Sequence, residues 1–243
     1  MKYMGSKNRI AKDILPIILD NRKPNQYYVE PFVGGANLID KVGGLRIGND
    51  LNKYLIAMWQ GLQQGRILPK HISKELYSRA RVEYNNKTNS EFDDCMIGWI
   101  GWMGSYNGRF FDGGYSGHCV GATKRDYIKE QIVNTEAQIP NILEVEFQSQ
   151  DYKSLELPNN SIIYCDIPYK DTKQYVTSKD FNHTEFWEWV RIKTREGHKV
   201  YISEYQAPED FECIWSKEVT NSMNTKNTYK PTEKLFTLKE GKC

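Results

Sequence analysis

Short apolar runs that end in an acidic or turn residue recur along the chain, with helically spaced stretches between them. Tyr27 to Glu30, Leu45 to Asp50, Val145 to Asp151, Ser161 to Asp166 and Lys199 to Glu204 each read as a buried strand. Ile10 to Leu19 and Glu185 to Thr194 carry helical spacing, and Gly197 supplies a stop after the second. Strands alternating with helices predict an α/β fold built on a mostly parallel sheet. Ligands of such sheets bind beyond the carboxyl ends of the strands, which is where the acidic residues fall.

Residues 57–140 break this rhythm. They have helical character from Leu62 to Arg81 and are polar from Tyr84 to Ser90. Glycines at 98, 101, 104, 108, 113, 114, 117 and 121 then interleave with Trp99, Trp102, Tyr106, Phe110, Phe111 and Tyr115. This predicts a mainly helical recognition insertion over 57–140, with a loop or hairpin near 106–121. The catalytic core would then comprise 1–56 and 141–243. A chain of 243 residues suits one medium core with one such insertion.

Composition narrows the function classes. Sixteen Tyr, nine Phe and six Trp supply ample surface to bury, which argues against disorder. The mean hydropathy is −0.68, and no apolar run approaches the roughly eighteen residues of a membrane span. The opening MKYMGSKNRI lacks the apolar core of a secretion signal, so an intracellular protein is expected. Thirty-three Lys and Arg against thirty-one Asp and Glu exclude a binder that works by bulk positive charge. The charge is uneven, with nine basic against five acidic residues in 1–59 and fourteen against seventeen in 141–243. Cys95, Cys119, Cys165, Cys213 and Cys243 are scattered, and the four His are isolated, so neither a disulfide framework nor a zinc site is legible.

Two segments carry chemistry. In Val29-Glu30-Pro31-Phe32-Val33-Gly34-Gly35-Ala36 a glycine pair follows a strand, allowing close approach of backbone to a ligand. Asp50 closes the next strand twenty residues after Glu30, an offset suited to accepting hydrogen bonds from the ribose hydroxyls of a nucleoside cofactor. Which nucleoside stays open. In Tyr164-Cys165-Asp166-Ile167-Pro168-Tyr169 a strand-end carboxylate, a neighbouring carbonyl and an aromatic ring are suited to grip a flat amine. Two acceptors can take the two N–H bonds of an exocyclic amino group while the ring stacks on its base. A plain strand end turned by proline would look the same if it stood alone.

These segments, in this order, resemble the Dam-type DNA adenine methyltransferases, particularly their phage-borne members. Lys2-Tyr3-Met4-Gly5-Ser6-Lys7 resembles the element that opens these enzymes. Glu30 to Gly35 resembles the E-P-F-x-G-G loop, and Asp50 the ribose-binding acid. Phe147 to Tyr152 resembles the F-x-x-x-D-[FY] element, and Asp166 to Tyr169 the D-P-P-Y tetrad. Tyr106 to Phe111 and Glu233-Lys234-Leu235-Phe236 are similar to phage-type members as well.

The resemblance implies a Rossmann-like methyltransferase sheet with an antiparallel C-terminal strand, and S-adenosylmethionine as cofactor. Tyr3, Gly5, Ser6 and Lys7 would join its site, Lys7 pairing with the cofactor carboxylate. Glu30, Pro31, Phe32, Gly34 and Gly35 would line the methionine and ribose. Asp50 would take the ribose hydroxyls, and Asp151 with Tyr152 would flank the cofactor's adenine. Asp166, Ile167, Pro168 and Tyr169 would act on a flipped adenine, walled by Thr172 and Tyr175. The partner would be double-stranded DNA, bound by a cytoplasmic protein of a bacterium or phage-infected host, monomeric or weakly dimeric. A restriction endonuclease partner is not determinable from the sequence.

Sequence choice would fall to the insertion. Asn107 and Arg109 are suited to bidentate contacts with adenine and guanine, Tyr106 or Tyr115 to filling the vacated stack, and Lys124 and Arg125 to phosphates. Each also has an ordinary reading, since Asn-Gly marks turns and Lys-Arg a solvated face. Ile167 departs from the family's first tetrad proline. Its backbone carbonyl persists, and Pro168 biases it toward extended geometry, so an active enzyme is expected. Two alternatives are transfer to the 4-amino group of cytosine, and a silent homologue that only binds DNA or cofactor.

Overall fold

The computed structural model describes residues 1–118, 124–169, 181–219, 232–239 and 241. Thr172 and Tyr175, named above for the target pocket, and two of the cysteines, Cys119 and Cys243, lie outside the described residues. Among the described residues, seven strands form one sheet in the order β3-β2-β1-β4-β5-β7-β6. They are β1 (Tyr28–Glu30), β2 (Arg46–Asn49), β3 (Val145–Gln148), β4 (Ile162–Asp166), β5 (Lys199–Ser203), β6 (Phe211–Glu218) and β7 (Thr232–Leu238). The first five are parallel to one another, and β7 runs antiparallel to both β5 and β6. This is the expected mostly parallel, Rossmann-like sheet.

Strands β1 and β2 are buried at every residue, as are the first four residues of β4. Burial on both faces explains their unbroken apolar runs, because a parallel strand has no solvent face on which to alternate. Connections from β1 and β4 leave in opposite directions across the sheet, so a crevice opens beyond their carboxyl ends. Glu30 and Asp166 stand at its two sides.

Helices α1 (Ala11–Ile18) and α7 (His183–Arg195) form where helical spacing predicts them. The helical reading of Leu62 to Arg81 does not hold as one element. Helix α2 (Lys53–Gln63) ends, a connection containing Gly65 and Pro69 follows, and α3 (Lys74–Asn86) begins afresh. Ser73 caps α3 by accepting the Leu76 N–H at 3.1 Å. Helices α4 (Asp94–Gly104), α5 (Tyr127–Glu136) and the short α6 (Ile139–Ile142) complete the segment.

The expected boundary at 56/57 falls inside α2, and packing runs straight through it. Trp59 is fully buried, stacks on Phe147 with centroids 6.1 Å apart, and donates to the Gly34 carbonyl at 3.1 Å. The amides of Gln60 and Gln63 donate to the Phe147 and Val145 carbonyls at 2.9 and 2.8 Å, covering the open edge of β3. One apolar core accordingly extends from Ile14 and Tyr28 through Trp59 to Trp99 and Phe110. Part of the glycine–aromatic alternation in α4 has a steric cause. A Cβ on Gly98 would lie 2.1 Å from the Tyr54 carbonyl oxygen of α2, so only glycine lets the two helices pack this closely.

Candidate active site at the carboxyl ends of β1, β2 and β4

Asp166 ends β4, partly exposed, and its Oδ1 lies 2.8 Å from Nζ of Lys7. Lys7 is 6% exposed and its ammonium also donates to the Gly5 carbonyl at 2.9 Å. The same ammonium stands 4.6 Å from the centroid of the Tyr169 ring, a cation–π distance. Burial raises the Asp166 carboxyl above its ordinary value, the Lys7 charge pulls it back, and Glu233 raises it again. A carboxylate with raised proton affinity is a stronger hydrogen-bond acceptor. Asp166 thus already holds a nitrogen donor over an aromatic face.

Ile167 is 3% exposed and packs in a second apolar cluster with Phe186, Trp189 and Val200. That anchor fixes the turn after β4 where the family has a proline ring. Pro168 is half-buried beside it, and Tyr169 is buried with its ring edge-on to Tyr205 at 4.6 Å.

The loop after β1 is held from two sides. Asp50 accepts the Gly34 N–H at 3.1 Å through Oδ2 and the Asn52 N–H at 2.9 Å through Oδ1. Burial pushes its carboxyl up to about 6, against the pull of these two amides. Asn49, which sequence reasoning passed over, donates to the Pro31 and Gln150 carbonyls at 3.1 and 3.0 Å. It ties the ends of β1, β2 and β3 together. Its only sequence signal is a polar residue in a buried strand.

A Cβ on Gly34, where φ is +47°, would lie 2.8 Å from the Tyr3 ring, and one on Gly35 would lie 2.7 Å from Tyr3 Cβ. The glycine pair therefore admits Tyr3, which itself packs 5.0 Å from Trp102. Gly5 takes φ +80°, and Ser6 accepts the Asn8 N–H at 3.3 Å to start a short turn that carries Lys7. Glu30 is buried and accepts the Tyr28 hydroxyl at 2.9 Å, and burial drives its carboxyl well above the usual range. Half-buried Phe32 packs on Tyr152 and Phe181 at 5.3 and 5.8 Å. Asp151, with 44% of its side chain exposed, caps a turn by accepting the Lys153 N–H at 2.9 Å.

Comparison with known proteins now bears on this arrangement. The model of the D12 class N6 adenine-specific DNA methyltransferase family matches residues 3–237. The chain belongs to this family. No curated protein matches it individually. Among solved structures, it is similar to SMU.472, assigned as a methyltransferase and complexed with SAH, at 13% identity and a TM-score of 0.42, over 96% of this chain and 52% of that one. It is similar to TrmN from Thermus thermophilus at 9% identity and a TM-score of 0.39, over 95% and 48%. A third is lmo1582 of Listeria monocytogenes, assigned as a class I S-adenosylmethionine-dependent methyltransferase, at 11% identity and a TM-score of 0.39, over 100% and 62%. The chain thus spans 48–62% of the length of these three proteins.

The segment over residues 57–140 presents its candidates unequally. Tyr106 and Asn107 are exposed at the tip of a hairpin-like loop closed by the Ser105–Tyr115 bridge, with Asn107 at φ +55°. Arg109 is paired with Asp112. Tyr115 is half-buried, and its hydroxyl donates to the Ile72 carbonyl at 2.6 Å. Lys124 is exposed, whereas Arg125 makes two bonds to Glu130 at 2.5 and 2.8 Å. Among the described residues no group of His, Cys, Asp and Glu could hold a metal ion, and no helix is long and apolar enough to cross a membrane.

Proposed function

We propose that this D12 family member transfers a methyl group from S-adenosylmethionine to the 6-amino group of an adenine flipped out of double-stranded DNA. One observation carries the reading. The Lys7 ammonium sits against Asp166 over Tyr169, a nitrogen donor held as the amino group of a stacked base would be.

The residues present fit the cofactor. Asp50 is a carboxylate at a strand end with hydrogen-bonding capacity beyond its two amides, and Phe32 and Asp151 offer part-exposed apolar and polar surface beside it. S-adenosylmethionine, when bound, supplies an electrophilic methyl group. Everything else falls to the chain. Asp166 and the Ile167 carbonyl accept the two amino protons, which favours pyramidal nitrogen and offsets its developing positive charge. Such stabilisation grows toward the transition state and so raises the rate. The proton shed by the nitrogen passes to Asp166, whose raised proton affinity suits it to that task. Tyr169 stacks on the base, compensating part of the few kcal/mol that flipping costs. The Lys7 ammonium must give way to the amino group, so it keeps the acceptor paired until a base arrives.

Tyr106, Asn107 and Lys124 are the insertion residues free to meet DNA as they stand, while Arg109 and Arg125 must first leave their ion pairs. Residues 1–59, with the excess of basic side chains, supply the remaining phosphate contacts. The deciding experiment is transfer of labelled methyl to adenine-containing duplex, followed by digestion to nucleosides. Label in N6-methyladenosine, lost in Asp166→Ala while cofactor binding persists, is the expected result. Label in cytosine, or full turnover in D166A, would sink the proposal.

A further inference from the structure

A second carboxylate reaches the same pocket from the far end of the chain. Glu233 lies on β7, near the start of the strand that inserts antiparallel between β5 and β6. Its Oε2 accepts the Tyr169 hydroxyl at 2.7 Å and stands 3.9 Å from the Lys7 ammonium. Only 15% of its side chain is exposed. A tyrosine ring that must present a flat face to a base has one remaining freedom of consequence, the tilt of its axis. A hydroxyl anchored to a strand removes it. Tyr205, edge-on to the same ring at 4.6 Å, supports it laterally.

We propose that Glu233 is a positioning residue of the methyl-transfer site, fixing the stacking ring through the Tyr169 hydroxyl and sharing the Lys7 charge with Asp166. The inference rests on the proposed reaction but makes its own claims. Mechanically, Glu233 needs only to accept a hydrogen bond. Electrically, it needs its charge. The two roles separate by substitution, because Glu233→Gln keeps an acceptor oxygen and removes the charge, whereas Glu233→Ala removes both.

The groups facing Asp166 are Lys7 from the N-terminal turn, Glu30 from β1, Tyr164 and Cys165 from β4 itself, Tyr169, and Glu233 from β7. Among these, Glu233 acts with burial to raise the proton affinity of Asp166, against Lys7. Removing its charge lowers that affinity. The acid limb of the pH–rate profile in E233Q therefore moves to lower pH, since Asp166 then stays ionised further into acid.

The test combines NMR of free protein labelled with 13C at tyrosine Cζ and methyl-transfer kinetics. The Tyr169 resonance, assigned with Tyr169→Phe, should shift in E233A and stay near its place in E233Q. In turnover, E233A and Y169F should each lower kcat about tenfold with little change in KM for cofactor, and the double variant should lose no more than either alone. E233Q should lose less of kcat than E233A near neutrality and show the displaced acid limb. A Tyr169 resonance unmoved by E233A overturns the contact, whether or not the protein transfers methyl groups. Additive losses, or an E233A that is merely less stable at unchanged kcat, overturn the positioning role while leaving the reaction standing. Absence of transfer by the unaltered protein, with the resonance shift present, removes the proposed reaction and leaves Glu233 only as the ring's anchor.

Discussion

The strand-end crevice and the insertion are built on opposite principles, although one apolar core runs beneath both. In the crevice, charges are buried and paired with one another: Lys7 with Asp166 and Glu233, and Asp50 with two backbone amides. In the insertion, aromatic rings and glycines dominate the packing behind the loop, and the candidate polar residues Asn107 and Lys124 are exposed. Trp102, Phe110, Phe111, Tyr84 and Tyr77 form a ring cluster behind the loop, while Tyr106 and Asn107 project from it. Chemistry needs groups whose proton affinities are set by burial, which tolerates little change. Target choice needs groups that water can be exchanged against, on a support stiff enough to aim them. The difference teaches that the two halves of the task should fail in different ways.

The comparison breaks most visibly if the shared core is cut. Trp59→Ala removes a fully buried ring that touches both β3 and the Gly34 loop, and should cost about 3–5 kcal/mol. Calorimetry should still show one transition, because a single apolar cluster runs from Tyr28 through Trp59 to Trp99 and Phe110. Two resolved transitions would mark the insertion as a separate unit. Next in size is Asn107→Ala, expected to lose about 1–3 kcal/mol of discrimination between target sites. Cofactor affinity and melting temperature should hold, as read by competition binding on duplexes of different sequence.

Asp50→Asn sharpens the other side. Cofactor affinity should fall about tenfold, the loss of roughly one charge-assisted hydrogen bond. The pH dependence is diagnostic. With its carboxyl near 6, the wild type should bind cofactor with constant affinity above that pH and progressively more weakly below it, while D50N should be flat. The stability effect has the opposite sense. A carboxyl raised by folding favours the folded state in acid, and that contribution is lost as pH rises through about 6. D50N should therefore be at least as stable as the wild type at pH 8. The smallest effect is expected for Arg125→Ala. Its exposed pair with Glu130 contributes little to stability, and the salt slope of DNA binding should flatten by at most about one phosphate contact.

Much of the sheet was legible because burial on both faces writes itself as apolar runs. All five runs correspond to strands, each shorter by a residue or more at one or both ends. Asp50 and Asp166 were legible for the same reason, as acids stopping an apolar run. What stayed hidden depended on distant pairing. Strand β6 is mostly solvated at the sheet edge and shows no clean alternation, so the C-terminal half yielded one antiparallel strand in expectation and a hairpin pair in fact. The break between α2 and α3 was masked by apolar residues on both sides, Leu68 and Ile72, which are buried without being helical. Lys7 reads as a cofactor ligand in the family pattern, and only the fold brings it to Asp166. Glu233 could be matched to a motif, but nothing local assigns it a partner sixty-four residues away.

The meeting of Lys7, Asp166 and Glu233 also constrains the order in which this protein can become itself. The acceptor is contributed from the middle of the chain, its counter-charge from the beginning, and its second carboxylate from the last strand. Lys7 must find Asp166 across most of the chain, and Glu233 must reach Tyr169 across sixty-four residues. Contacts so distant in sequence form late and slowly. Until β7 docks, the Tyr169 ring lacks the Glu233 carboxylate that accepts its hydroxyl. All three segments must meet before the ring and its acceptor are both held.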